Sequence, residues 1–406
     1  MKNIITTILC LSTIYSATAA DIYVNNSGQS GTYTSITLAL AAAAPGDRIF
    51  VSPYGDYTEN LTIFQDVTLA SAVAGTNFSV VGTLTVQGAP NMDVRIIGGE
   101  FSGNIACTTG GTGLNTKADV YITESNFNSL TAQDFIRIHL LFCNLGGATV
   151  SIRHGEVRGN TDLGYLNITD GPNAGVGDTL FIVGNTFLEN RYLNWTNDDN
   201  YFYIANNKIH STTTYCFYMT KHHFSSVVNN NLINNYFRNS STSSSYLTPV
   251  RSTSTGNISN VYLYNNILEN ASTSNSSYAR CFFANGGSGS MQLYYNYCKG
   301  WSNGTTSGGT KVVGNYSLPW NTVALTVDAD GRCNDATYCV DKGSTALQYY
   351  DIDMTRNDIG TYGGPYSIDN YLEVGIGNAR IYDLNMPFEI WSGQTPQVKA
   401  EATHTK

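Results

Sequence analysis

The sequence predicts an all-β protein, a parallel β-helix in which short strands stack coil upon coil into one cylinder. Three observations carry this reading. Short runs of alternating apolar residues recur along the chain, many ending in Asn followed by another apolar residue. Helical periodicity is confined to one Ala-rich stretch near the start. The turn residues are Asn, Gly and Ser, yet no Asn-Gly hairpin pattern recurs of the kind an antiparallel sandwich would show.

The runs are VYITESNF (120–127), LFIVGNTF (180–187), FYIANNKI (202–209), SVVNNNLI (226–233), VYLYNNIL (261–268), MQLYYNYC (291–298) and TKVVGNYS (310–317). Aligned on Asn185, Asn207, Asn231, Asn266 and Asn296, they stand 22, 24, 35 and 30 residues apart. A base unit near 22 residues then carries insertions in its longer copies, at 234–259 and 269–290, both polar and rich in Ser and Thr. One unit alone could not bury its apolar face, whereas stacked units bury it continuously. The Asn suits a turn, because its short polar side chain tolerates left-handed backbone. Stacked on its copies, it also predicts an amide ladder parallel to the cylinder axis.

Taken in order, the chain opens with MKNIITTILCLSTIYSATAAD. Lys2, the apolar run from Ile4 to Tyr15 and the small residues Ala17, Ala19 and Ala20 predict a signal peptide over residues 1–20. The expected location is secreted, periplasmic or cell-surface, with no later run long enough to span a membrane as a helix. TSITLALAAAAPGD then predicts a helix over 34–45, capped by Thr34 or Ser35 and stopped at Pro45-Gly46. Placed before the first coil, it would cover an otherwise open apolar end. The cylinder is expected to fill residues 21–367, with 368–406 a C-terminal β extension packed on it.

A net charge of −9 without basic clusters argues against nucleic acid, since phosphate binding needs grouped Lys and Arg. Tyr occupies 28 positions; strands favour Tyr in any case, and its aromatic face and hydroxyl also suit sugars. Beyond Cys10, seven Cys remain, an odd number that leaves at least one thiol unpaired in an oxidising compartment. Cys333 and Cys339 bracket the short loop CNDATYC and predict a disulfide. No Cys/His zinc spacing is present.

Residues 33–63, YTSITLALAAAAPGDRIFVSPYGDYTENLTI, resemble the N-terminal cap and first coil of pectate-lyase-like right-handed β-helix proteins. Residues 340–367, VDKGSTALQYYDIDMTRNDIGTYGGPYS, resemble the closing segment of exported bacterial β-helix repeat proteins. Asp341, Gly343, Asp351, Asp353, Arg356, Asp358, Gly360, Tyr362, Gly363 and Gly364 match that segment, while Met354 stands where Gly is usual. The resemblance implies a right-handed cylinder with a β closing segment, and a lateral groove in which relatives handle sugar chains. The closing stretch reads as a lid, with Arg356 in reach of Asp341, Asp353 or Asp358 for a buried ion pair. No cofactor is expected; the three Asp could supply part of a Ca2+ site, but the neighbouring Arg disfavours a cation.

Three constellations bear on chemistry. Asp170, Asp198 and Asp199 partly resemble the carboxylates of β-helix polygalacturonases, without the Gly-His-Gly and Arg-Ile-Lys those enzymes need. Lys221, His222 and His223 follow one coil later; a lyase needs such a base and a group to stabilise an enolate. Turn residues are the competing reading for both sets. Arg137, His139, Arg153, His154, Glu156 and Arg158 form the third set, with Glu156–Arg158 read as an exposed ladder pair of little energetic value. Asp198, Asp199, Lys221 and His222 are therefore the catalytic candidates. Tyr246, Arg251, Tyr278 and Arg280, carried by the two insertions, are the candidates for stacking on sugars and pairing with their carboxylates. The expected function is binding a polysaccharide, uronate-containing or a cell-surface glycan, along a lateral groove, with cleavage by lysis or hydrolysis left open. The alternative is a non-catalytic surface or adhesin-like scaffold.

Overall fold

The structure is a computed structural model that describes residues 19–109, 118–133, 135–169, 178–213, 215–241, 248–270, 282–284, 290–299, 311–316, 327–328, 330–371, 379–385 and 399–404. Its strands form a parallel β-helix. A thirteen-stranded sheet runs from Asp21–Val24 to Lys311–Tyr316, and a twelve-stranded sheet runs beside it from Asp56–Tyr57 to Phe282–Ala284. A third, four-stranded sheet appears only in later coils, from Lys208–Ser211 to Tyr297–Lys299. Every pairing in these three sheets is parallel. The first two coils each give two short strands to the second sheet, Asp56–Tyr57 with Leu61–Ile63 and Phe78–Val80 with Leu84–Gln87, whereas later coils give one strand to each sheet they reach. Crossovers between parallel strands favour the right-handed sense that the resemblance implied.

Alternation decides which residues fill the cylinder. Val94, Val120 and Ile138 lie directly over one another in register, fully buried, as do Ile96, Ile122 and Leu140 beside them. In the second sheet the strands are often three residues long, with only the middle side chain facing out. The core is thus a set of stacked aliphatic and aromatic columns, with Trp195, Phe202 and Phe217 in edge contact at its centre.

The helix α1 spans Ile36–Ala42. Ser35 caps it, and the Glu59 carboxylate accepts from the Ile36 and Thr37 amides at 2.8 and 3.0 Å, satisfying amides a helix leaves open. Ile36, Ala39 and Leu40 are buried against the first coils, so the helix closes the apolar end as expected.

The amide ladder is present, with one change of member. Asn160, Asn185, Asn207, Asn235, Asn266 and Asn296 stack, each Nδ2 donating to the next Oδ1 at 2.8–3.0 Å. Each also donates to a strand carbonyl of the preceding coil, as Asn207 does to Ile182 at 2.7 Å. The fourth rung is Asn235, not the expected Asn231, which faces outward from a strand and pairs with Tyr203. Left-handed backbone belongs to the residue before each rung: Gly159, Gly184, Asn206, Asn234, Asn265 and Tyr295 all have φ between 54° and 67°. Two neighbouring residues therefore divide the two tasks assigned to one Asn.

The closing segment is a strap and not a lid. From residue 344 to residue 371 it doubles back along the left-handed corner, passing from the coil of Asn265 to those of Asn234, Asn206 and Gly184. Ser344 and Gly360 amides bond Asn265, and Asn234 Nδ2 reaches Asp358 O at 3.0 Å. Asn206 Nδ2 holds Thr361 O and Gly363 O at 2.9 and 2.6 Å. Tyr371 ends over Gly184, where an added Cβ would come within 2.2 Å of its ring, so only glycine fits there. Beneath the strap, Val183, Ala205 and Ile233 are buried with Tyr349 and Tyr371.

Arg356 does not form the expected ion pair. Its Nε donates to Gly343 O at 2.8 Å and its Nη2 to Lys342 O at 3.2 Å. The carboxylates accept backbone amides instead: Asp358 from Asp341 at 2.8 Å, Asp353 from Thr355, and Asp351 from Asp358 and Gly364. Among the described residues no cluster of three or more His, Cys, Asp or Glu side chains is arranged to hold a metal ion. Cys333 and Cys339 are joined by a disulfide within the strap, packed on Tyr236, Ile267 and Tyr297. Cys107, Cys143, Cys216 and Cys298 are buried free thiols, while Cys10 and Cys281 lie outside the described residues. Residues 379–385 and 399–404 pair antiparallel, a β element beyond the strap.

Candidate functional site

The second sheet carries a single outward side chain on each of its later strands. In register these are Asn167, Asn194, Tyr218, Arg251 and Phe283. Arg251 therefore lies between two rings, its guanidinium carbon 5.6 Å from the Tyr218 centroid and 5.4 Å from that of Phe283. Among the described residues no carboxylate pairs with it, and its Nε is buried without a hydrogen-bond partner. A cation stacked this way keeps the edge of its guanidinium for an incoming acceptor. Tyr218 adds a hydroxyl bonded to Thr253 at 3.1 Å.

The loops leaving three successive strands of this sheet gather the other candidates. Lys221 Nζ lies 3.4 Å from Asp198 Oδ2, both side chains about half exposed. His223 Nδ1 bonds the Asp198 carbonyl at 2.8 Å and its ring meets Tyr201 edge-on at 4.8 Å. The Asp199 amide donates to Asn197 Oδ1 at 2.8 Å, the turn geometry of an Asx motif. His222 faces the other way. It is buried, with Nδ1 on Ser254 Oγ at 3.1 Å and Nε2 on the Asn257 carbonyl at 2.8 Å. Burial pulls its pKa below the ordinary value, so the neutral ring donates through Nε2 and braces one loop against the next.

Arg251, Asp198, Asp199, Lys221 and His222 thus sit on one stretch of the cylinder, at the middles and exits of adjacent strands. Asp170, Tyr246, Tyr278 and Arg280 lie outside the described residues. Tyr218 and Phe283 escaped the sequence reading because neither lies in a motif; only the coil register places them on either side of Arg251.

In the third constellation Glu156 and Arg158 are buried, which corrects the exposed-pair reading, while Arg137 keeps 42% of its side chain exposed. His154, Glu156 and Arg158 share the outer face of the first sheet, with Gly155 turned inward. Arg137, Asp119, His139, Glu156 and Arg158 form one chain of alternating charge across three strands. Arg137 meets Asp119 at 2.7 Å, His139 bridges Asp119 at 3.0 Å and Glu156 at 2.7 Å, and Glu156 meets Arg158 at 2.5 Å. Tyr121 stacks flat on His139 with centroids 4.1 Å apart. Burial pulls His139 down, but the Asp119 and Glu156 carboxylates outweigh it and hold the imidazolium. Burial pushes Glu156 and Asp119 up; their hydrogen bonds to His139 and the arginine charges prevail, and both stay below the usual carboxylate range. His154 lies beside Asn200, 3.3 Å away, and the Arg153 carbonyl accepts from that same amide. Each of these shifts favours the charged form, so the five side chains hold one another as ion pairs. The set is an ion-pair lattice.

Fold and site together define a parallel β-helix protein with an aromatic–arginine face on its second sheet. Comparison with protein-family models, with curated proteins and with solved structures finds no match. Among the described residues no helix is long and apolar enough to cross a membrane.

Proposed function

We propose that the protein is an exported β-helix of the pectate-lyase-like type that binds an acidic polysaccharide along the outer face of its second sheet. The observation that carries this is Arg251, sandwiched between Tyr218 and Phe283 with a buried, unsatisfied Nε. A sugar carboxylate would pair with the guanidinium while the sugar ring lies on the partly exposed Tyr218, with the buried Phe283 backing the stack. The loops of Asp198 and Lys221 border this face. Binding, rather than cleavage, is the role favoured here: Lys221 is paired with Asp198, and both His222 nitrogens are engaged internally.

Affinity electrophoresis through gels containing alginate or, as a neutral control, hydroxyethylcellulose tests the reading. Alginate should retard the parent, and Arg251→Met should lose about tenfold in affinity, the ~1.4 kcal/mol of one charge-assisted contact. Parent-like retardation of Arg251→Met would remove this face from consideration. Absorbance at the wavelength of unsaturated uronates, with a reducing-end assay, should stay flat; turnover that Lys221→Ala abolishes would restore the catalytic reading.

A further inference from the structure

We infer that the binding face continues as a tyrosine ridge toward the N-terminal coils, so that the ligand is a long, extended polysaccharide engaged across five strands. This rests on the reading of Arg251 above and adds to it the length and path of the ligand. Tyr165, Tyr192 and Tyr215 stand just before the adjacent strands Leu166–Ile168, Leu193–Trp195 and Phe217–Met219. Their centroids are 5.0 Å apart at both steps, and the rings meet edge-to-face at 75° and 82°. That step is the coil rise, about 4.8 Å between parallel strands, so the ridge is a consequence of stacking one residue type at one coil position.

The ridge joins the Arg251 site without a gap. Tyr215 stacks on Tyr218 with centroids 4.6 Å apart at 25°, and Tyr218 carries the Arg251 guanidinium. Arg191 covers the far end, 4.8 Å over Tyr165 and bonded to its hydroxyl at 3.3 Å. The track therefore has a guanidinium at each end and four phenol rings between them. Five strands at the same rise span about 19 Å.

Aromatic side chains that only filled a core would be buried and apolar-facing. All four of these tyrosines are partly exposed on the outside of the cylinder, where their mutual contacts fix the rings in advance. Pre-set rings with hydroxyl edges match a chain of sugar rings, which presents C–H faces and hydroxyls alternately. A short oligomer can occupy only part of such a track. A long one engages both ends at once, and its second contact is made at high effective concentration.

The test uses alginate oligomers fractionated by size, titrated calorimetrically against the full chain. For the parent, affinity should rise at least tenfold from the shortest binding oligomer to the longest. Tyr165→Ala combined with Tyr192→Ala should flatten that rise while short oligomers bind as before. Tyr192→Phe, which keeps the ring and its packing, should retain most of the rise and report on folding. A double variant with the parent's full length dependence overturns the ridge alone, provided Arg251→Met still weakens short oligomers. If Arg251→Met binds short oligomers as the parent does, or the parent binds none, the underlying reading fails as well.

Discussion

Replacing Glu156 by Gln tests whether the charge chain on the first sheet holds the cylinder together. The Glu156 side chain is 11% exposed and its partner Arg158 4%, so solvent screens the pair little. The carboxylate also accepts from His139, and the neutral amide would leave two cations with one fewer anion between them. Breaking one partner of a buried pair costs about 3–5 kcal/mol; the amide oxygen of Gln retains part of the contact, which places the expectation near ~3 kcal/mol. The pH dependence carries the sharper signature. Glu156 and Asp119 lie below their ordinary values of 4.5 and 3.8, so their stabilisation is present above those values and fades as pH falls. His139 lies above its ordinary 6.5, so its share is complete below pH 6.5 and fades as pH rises through the folded-state value. Both contributions are complete only between about pH 4.5 and 6.5. Urea unfolding followed by circular dichroism should therefore show the widest gap between parent and Glu156→Gln near pH 5.5, narrowing toward pH 3 and pH 9. A gap below ~1 kcal/mol, or one that ignores pH, would refute the account of the lattice.

Asn207→Ala should cost at least ~3 kcal/mol, because the Asn185 amide, the Asn185 side chain and the Ile182 carbonyl all lose partners in the core; denaturant midpoints check this. Cys333→Ser should lower stability by about 2 kcal/mol, the value for a short closed loop, and reductant should then leave the variant's melting temperature unmoved. Arg356→Ala should cost only ~1–3 kcal/mol, since it loses two carbonyl contacts and no buried ion pair. A chelator should not shift the melting temperature of the parent; a drop would reopen the closing segment as a cation site.

The solenoid was readable because its repeat is written in residues that act alike in every coil. Asn185, Asn207, Asn266 and Asn296 were found at their true rungs, and the Ala-rich cap at its true place. Asn235 was missed because NNNLINN offers several Asn, and only the hydrogen-bonding register distinguishes the rung from its neighbours. Arg356 was misjudged for a related reason. Proximity in sequence suggests an ion pair, but the strap turns its carboxylates onto backbone amides. The lattice of Asp119, His139 and Glu156 draws on three strands separated by turns, so no short motif announces it. The tyrosine ridge is equally silent, since Tyr165, Tyr192 and Tyr215 stand 27 and 23 residues apart and belong to none of the recurring runs.

The strap changes how such a stack can come apart. A plain solenoid is close to a one-dimensional chain of neighbours, and its end coils can open singly. Here the polypeptide leaving the last coils is fastened in turn at Asn265, Asn234, Asn206 and Gly184. The terminal coils cannot unwind far without drawing on attachments several coils away. Fraying at one end is thereby converted into a shared transition, and amides from the Asn206 coil to the strap should exchange with solvent as one block.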